Sequence, residues 1–329
     1  MVQIFYATDR KPTGSSDPKK FFGAERAPGG ALSLGTCDVS IPRDHRLAAL
    51  EEPSIWRLEF SEDPERHVVL LGVEPVGPQA FSRQLRGRVG RSAGRQAFVF
   101  VHGFLVSFED AARRTAQLAY DLQFDGAPIL WSWPAADRLA GYAAAESNAD
   151  WSVAHLLAFL RQLKERSGAD DIHLISHSMG SRVVTQALNL LALTEGERLP
   201  LFKQVVLTAP DIDAEVFLSL AEQIRRTAGR VTLYASQNDQ ALDLSRRLHA
   251  YPRAGQAGKG LVTVPGIDTI DVSQVDSSFE GHFYYADNRS VISDLVALIR
   301  EGKPPHERSL LQQIQEGARS YWRLLPQGR

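Results

Sequence analysis

Three side chains whose types can carry acyl transfer lie in order along the chain: Ser178, Asp239 and His282. A serine hydroxyl is a poor nucleophile at neutral pH. It needs a base to take its proton, and the base needs an acid to orient it. Ser178 sits in Ser176-His177-Ser178-Met179-Gly180. The apolar run Ile172–Ile175 before it is suited to a buried strand. After it, Val184, Ala187, Leu188 and Leu191 fall at helical spacing. A strand, a sharp turn with serine at its apex and a helix leaving at once describe a nucleophile elbow. Such a turn needs small flanks, and Ser176 and Gly180 provide them, with Ser176 standing where glycine is usual. The helix N-terminus behind Ser178 offers N–H groups and a positive dipole end to a developing oxyanion. The Met179 amide is one donor for that charge, and the turn after Val101, most simply the Phe104 amide, is the other. Gly103 lets the backbone there come close.

Position selects the base among nine histidines. His45, His67, His249 and His306 fall in loops, outer helices or the N-terminal region, and His155 and His173 fall inside predicted elements. His177 neighbours the nucleophile, but its side chain leaves the turn in another direction. His102 belongs to a His-Gly turn, where it braces the loop. His282, in Glu280-Gly281-His282-Phe283-Tyr284, follows the last strand of the predicted core and precedes its last helix. The acid belongs between Ser178 and His282. Asp239 ends Ser236-Gln237-Asn238-Asp239, after the second predicted strand beyond the elbow, and is the expected acid. Asp211, one strand earlier, is the alternative, or it caps the next helix.

The elements that must position these residues read clearly from Gln96 onward. Strands are expected at Ala97–Val101, Pro128–Trp133, Ile172–Ile175, Gln204–Thr208, Val231–Ala235 and Thr269–Val272. Helices are expected after Ser107 and at Asn148–Glu165, Ser181–Leu193, Ala214–Thr227, Ala241–His249 and Val291–Arg300. Such alternation predicts a mostly parallel, doubly wound α/β sheet, whose ligands bind outside the carboxyl ends of its strands. Ahead of it, Val2–Ala7, Ala31–Pro42, Trp56–Phe60 and His67–Val73 read as antiparallel strands, with a long loop over Lys11–Gly30. Residues 1–303 are therefore expected to form a single domain: 1–95 as N-terminal strands and loops of the same sheet, and 96–303 as the catalytic core. Residues 304–329 read as a helical tail with a stripe of Leu310, Leu311, Ile314, Ala318, Tyr321 and Trp322. The basic segment Phe81–Arg95 reads as a solvated helix end and loop.

Composition excludes several function classes. A net charge of -2 gives no support for a nucleic-acid partner. No apolar window is long enough for a membrane span. One cysteine, Cys37, rules out an intrachain disulfide, and the N-terminus lacks the look of a secretory signal. A cytoplasmic setting is expected. The sequence sets no oligomeric state.

The residues around the constellation carry a resemblance. Phe100-Val101-His102-Gly103-Phe104, the Ser178 elbow, Asp239 and Gly281-His282 resemble the α/β-hydrolase fold. The segments Phe5–Arg10, Gly35–Cys37, Val39–Pro42, Val106–Ala112 and Trp131–Pro134 are similar to a bacterial esterase-like branch of it, filed as a domain of unknown function (number nine hundred). One residue departs from that pattern: Leu105 stands where asparagine is common. The resemblance implies carboxylester hydrolysis through an acyl-enzyme, with a small-molecule ester as substrate. The chemistry needs no metal and no organic cofactor. Epoxide hydrolases and dehalogenases of this fold use an aspartate nucleophile, which Ser178 argues against. An acyltransferase or thioesterase would use the same triad, and a fold with a decayed triad would serve as a binding module. Leu105, Trp133, Tyr142 and Phe283 are candidates to line the substrate pocket. Thr208 and Val231 leave room between them for one helix and no large cap domain, which favours small to medium acyl esters.

Overall fold

The N-terminal run forms strand β1 (Val2–Thr8), buried from Ile4 onward. The structure is a computed structural model that describes residues 1–53, 61–136, 141–275, 284–317 and 319–327. They fall into two units, Met1–Asp170 and Asp171–Arg329. The expected strand Trp56–Phe60 lies outside the described residues, as do Gly281, His282 and Phe283.

In the first unit β1 is followed by the short strands β2 (Arg10–Pro12) and β3 (Phe22–Arg26), then by β4 (Ser33–Val39) and β5 (Leu70–Pro75). Helix α1 (Pro78–Arg91), β6 (Gln96–Val101), α2 (Phe108–Asp121), β7 (Ala127–Ser132) and α3 (Tyr142–Arg166) complete it. β1 pairs antiparallel with β4, and β4 with β5, as expected for the N-terminal strands. On its other side β1 runs parallel to β7, and β7 parallel to β6. Gly35 is required in β4, because a Cβ there would stand 2.1 Å from the Glu74 carbonyl oxygen and 2.7 Å from the Tyr6 ring. The stretch expected to be loop over Lys11–Gly30 contains β3, which pairs antiparallel with β2 in a small separate sheet.

Local chemistry explains the helices. The Asp110 N–H donates to the Ser107 hydroxyl at 3.0 Å, which caps α2 as the sequence predicts. In α1, Phe81, Leu85 and Val89 recur every four residues and are buried. Three arginines of that segment donate to backbone carbonyls. Arg86 donates to the Arg166 carbonyl, Arg88 to that of Asp125, and Arg95 to that of Gly168. The first and last of these carbonyls lie at the C-terminal end of α3, where cations offset the helix dipole.

A buried ion cluster pins residues 45–51 to α2. His45 Nδ1 donates to Glu51 at 2.8 Å, and Nε2 donates to Asp121 at 2.8 Å. Burial pulls the imidazole pKa down, but the bonds and charges of Asp121 and Glu51 outweigh it and the net shift is upward. The resulting stability is complete below the ordinary histidine value and is lost as pH rises through the raised folded value. Thermal melts of the wild type should therefore fall from mildly acidic to mildly alkaline pH. His45→Gln should flatten that slope.

The second unit runs β8 (Asp171–His177), α4 (Gly180–Glu195), β9 (Phe202–Thr208), α5 (Ala214–Thr227), β10 (Ala228–Ala235), α6 (Gln240–His249), β11 (Asp268–Asp271), α7 (Tyr284–Asp287), α8 (Arg289–Ile299), β12 (Leu311–Glu316) and β13 (Arg319–Leu324). β8, β9, β10 and β11 pair in parallel in that order, with Val205 opposite both Leu174 and Val231. The C-terminal segment departs from expectation. It is a β-hairpin, not a helix, with Ile314 opposite Tyr321, and β13 pairs parallel to β11. The spacing that suggested a helix is broken at Gly317, which takes φ 62° in the turn. The Tyr-Trp pair that follows suits a strand, and Tyr321 and Leu324 are buried.

Candidate active site

Ser178 stands between β8 and α4 with φ 52°. Left-handed backbone at a residue other than glycine costs about 1–3 kcal/mol and persists only where neighbours enforce it. Here they do. The Ser178 N–H donates to the Thr208 carbonyl at 3.0 Å, and the Ser178 carbonyl accepts from the N–H groups of Ser181 (3.0 Å) and Asp211 (3.2 Å). Ser176, the atypical flank, takes part: its Oγ lies 2.9 Å from Ser181 Oγ, and its carbonyl accepts from Thr208 Oγ1 at 2.8 Å. A hydroxyl at this flank thus clips the turn closed where glycine would only permit it. Met179 begins the helical turn at φ -61°, ψ -24°. Its amide lies at the positive end of α4.

The two candidate acids are both buried, and their surroundings differ. Asp211 Oδ1 accepts from Arg253 Nε at 2.7 Å and from Ser245 Oγ at 2.6 Å. Its carboxylate is engaged in a buried ion pair. Asp239 caps α6: Oδ1 accepts from the Leu242 N–H at 2.9 Å.

One segment that sequence reasoning passed over ties these loops together. The loop after β9 and the loop after β10 are both laced to residues 252–257. The Ala254 N–H donates to Ile212, the Gly255 N–H to Pro210, and the Ser236 N–H to Gly255. A Cβ at Gly255 would stand 2.6 Å from the Ala209 carbonyl carbon and 2.7 Å from Pro210 N, so only glycine allows this approach. From the other side Ser273 holds the loop that carries Asp239. Its Oγ accepts from the Gln237 N–H at 3.0 Å and donates to Asp271 at 2.5 Å, and its carbonyl accepts from Asn238 Nδ2. The elbow and the Asp239 loop are thereby joined through backbone bonds within one unit.

The turn after β6 belongs to the first unit. Phe104 packs edge-on against Tyr142, ring centres 5.1 Å apart. Leu105 takes φ 57° and is 41% exposed. That backbone accounts for asparagine being common at this position, since asparagine enters the left-handed region more readily than leucine. Trp133 is fully buried: its Nε1–H donates to the His102 carbonyl at 2.7 Å and its ring stacks on His102. His102 is held well below the ordinary histidine pKa, by burial first and then by the charge of Arg10, so its imidazole is neutral at physiological pH.

A model of the family described as "Alpha/beta hydrolase of unknown function (DUF900)" matches residues 78–301. The chain belongs to this family. Its fold is that of the α/β hydrolases: parallel strands alternating with helices, antiparallel strands at the N-terminal end, and a serine at the strand-to-helix turn. Among solved structures, a monoclinic form of a Pyrobaculum calidifontis esterase is 16% identical over 63% of this chain and 77% of that one, with a TM-score of 0.37. An extracellular alpha/beta-hydrolase from a Paenibacillus species is 17% identical over 54% of this chain and 77% of that one, with a TM-score of 0.25. Likenesses this distant carry no argument about the site. No curated protein matches the chain.

In this α/β hydrolase, no group of three or more His, Cys, Asp or Glu side chains among the described residues could hold a metal ion. No described helix is long and apolar enough to cross a membrane. The residues that sequence reasoning missed are Arg253, Gly255 and Ser273. The only signal for them in the sequence is a glycine and a serine in irregular segments. Each has a partner far away in the chain: the Asp211 carboxylate for Arg253, the Pro210 carbonyl for Gly255 and the Gln237 N–H for Ser273.

Proposed function

We propose that the protein is a serine carboxylester hydrolase. The observation that carries this reading is Ser178, held at φ 52° at the end of a parallel strand and hydrogen-bonded to the end of the next strand and the loop that follows it. In this reading Ser178 Oγ attacks the ester carbonyl carbon while His282 takes its proton. Asp239 orients the imidazole and stabilises the imidazolium. The N–H groups of Met179 and Phe104 receive the oxyanion. The tetrahedral intermediate collapses, the C–O bond to the alcohol breaks, and His282 protonates the leaving alkoxide. Water then attacks the acyl-enzyme with His282 as base, releasing the acid and restoring Ser178. What supports Asp239 over Asp211 is its place after the second strand beyond the elbow, together with the buried ion pair that Asp211 forms with Arg253.

The substrate class is small to medium acyl esters. Only α5, a single helix of 14 residues, stands between β9 and β10, where a cap domain would have to be inserted. In a p-nitrophenyl ester series, acetate to hexanoate should turn over at least about tenfold faster, in kcat/KM, than palmitate. Best activity on the longest chain, rising at an oil–water interface, would contradict this.

A further inference from the structure

The segment Phe5-Tyr6-Ala7-Thr8-Asp9-Arg10 leads out of β1 and ends in a guanidinium that is 2% exposed. Burying a cation is expensive unless its donors are used. Arg10 uses them on neutral acceptors. Nε donates to Ser132 Oγ at 2.8 Å, Nη1 to the Gly23 carbonyl at 3.1 Å, and Nη2 to the Val106 carbonyl at 2.7 Å. Nη2 also lies 3.3 Å from His102 Nε2. One side chain therefore joins the end of β1, the β2–β3 sheet, the end of β7 and the turn after β6. Burial lowers its pKa to about 10, opposed by the charges of Asp9 and Asp110, so it remains a cation at neutral pH.

The bonds around that turn form a chain with a direction. Ser132 Oγ accepts from Arg10, which leaves its own proton to donate to His102 Nε2, 3.0 Å away. With Nε2 filled as an acceptor, the neutral imidazole carries its proton on Nδ1. Nδ1–H then donates to the Gly103 carbonyl at 2.9 Å. The Gly103 carbonyl and the Phe104 N–H share one rigid trans peptide plane, on which they point in opposite directions. Pinning the carbonyl to His102 turns the Phe104 N–H the other way. The Trp133 indole holds the His102 carbonyl at one end of the turn, and Arg10 holds the Val106 carbonyl at the other. Between these two clamps lies Leu105 in its left-handed conformation.

We propose that Arg10 is a positioning residue for acyl transfer: through Ser132 and His102 it fixes the peptide plane that aims the Phe104 amide at the oxyanion, and through Val106 it holds the strained turn closed. This rests on the reading of Ser178 and Phe104 given above. It assigns a role to the arginine that ends Phe5–Arg10, a buried charge that touches no reacting atom.

The test compares wild type with Arg10→Met, Arg10→Lys and Ser132→Ala on p-nitrophenyl butyrate, and measures inhibition by an alkyl boronic acid, which forms a tetrahedral adduct on serine. Arg10→Met should lower kcat by about 10²-fold, as loss of one oxyanion donor does, with KM changed less than about threefold. Affinity for the boronate should fall in step with kcat, because only tetrahedral species use the donor. Arg10→Lys should recover part of the loss by reaching the Val106 carbonyl. Ser132→Ala should lower kcat about tenfold through the same chain. A purely structural arginine would lower the melting temperature and the yield of active protein while leaving kcat per labelled serine unchanged, and that result overturns the proposal. If Arg10→Met does not fold, Ser132→Ala decides: wild-type kcat and boronate affinity in that variant overturn it. Fluorophosphonate labelling of the wild type separates the two levels. Wild type that does not label refutes the Ser178 reading. Wild type that labels, beside an Arg10→Met variant with unchanged kcat, refutes the role of Arg10 alone.

Discussion

Ser178→Ala is expected to lower ester turnover by about 10⁴-fold or more while leaving the protein folded. The hydroxyl is the only group of Ser178 that the proposed chemistry uses. The bonds that hold the elbow involve its backbone: N–H to Thr208, carbonyl from Ser181 and Asp211. None of these is touched by removing Oγ. Ser178→Gly sharpens the test, because it removes the hydroxyl and also the Cβ that makes φ 52° costly. That variant should be equally inactive and more stable by about 1 kcal/mol, read by chemical denaturation. A gain in stability with a total loss of turnover is the signature of strain kept for function. Alanine and glycine variants that keep more than a tenth of wild-type kcat would show that Ser178 is an ordinary turn residue.

The second large effect separates the two acids. Asp239→Asn should keep its cap on α6, since asparagine serves as well as aspartate at that position, and the protein should fold. Its kcat should fall by about 10³–10⁴-fold, because an amide cannot hold the imidazole in the working tautomer or stabilise the imidazolium. Asp211→Asn should do the reverse. It leaves Arg253 buried and unpaired beside Ser245, and a broken buried pair costs about 3–5 kcal/mol. Protein that remains folded should turn over at close to the wild-type rate. Kinetics and denaturation on the two variants side by side check this. Inactive, stable Asp211→Asn next to active Asp239→Asn would reverse the assignment.

What could be read from the sequence was what repeats locally. The alternation of buried strands and amphipathic helices from Gln96 to Arg300 is written in period, and α5 spans Ala214–Thr227 as the sequence predicts. The elbow was legible because its constraint is local: a small residue on each side of Ser178, a strand before and a helix after. The C-terminal hairpin was not legible, because Leu311, Ile314, Tyr321 and Trp322 fit a helical stripe as well as two strands. The choice is made by Gly317 at the turn and by an open strand edge at β11, which no local pattern encodes. The lacing of the Asp239 loop by Gly255 and Ser273, and the reach of Arg10 to Val106, join residues far apart in sequence. Such contacts leave no period to read. The atypical residues were the informative ones. Ser176 proves to be a clip across the turn, and Leu105 occupies a left-handed position that explains why asparagine would be at home there.

The most direct measurement is covalent. The intact protein is treated with a fluorophosphonate, its mass is taken, and the modified peptide is mapped, with Ser178→Ala run alongside. One adduct per chain is expected, located on Ser178, formed in parallel with loss of activity on p-nitrophenyl butyrate, and absent from the variant. An adduct on another residue that accounts for the lost activity, or full ester turnover by Ser178→Ala, would contradict it.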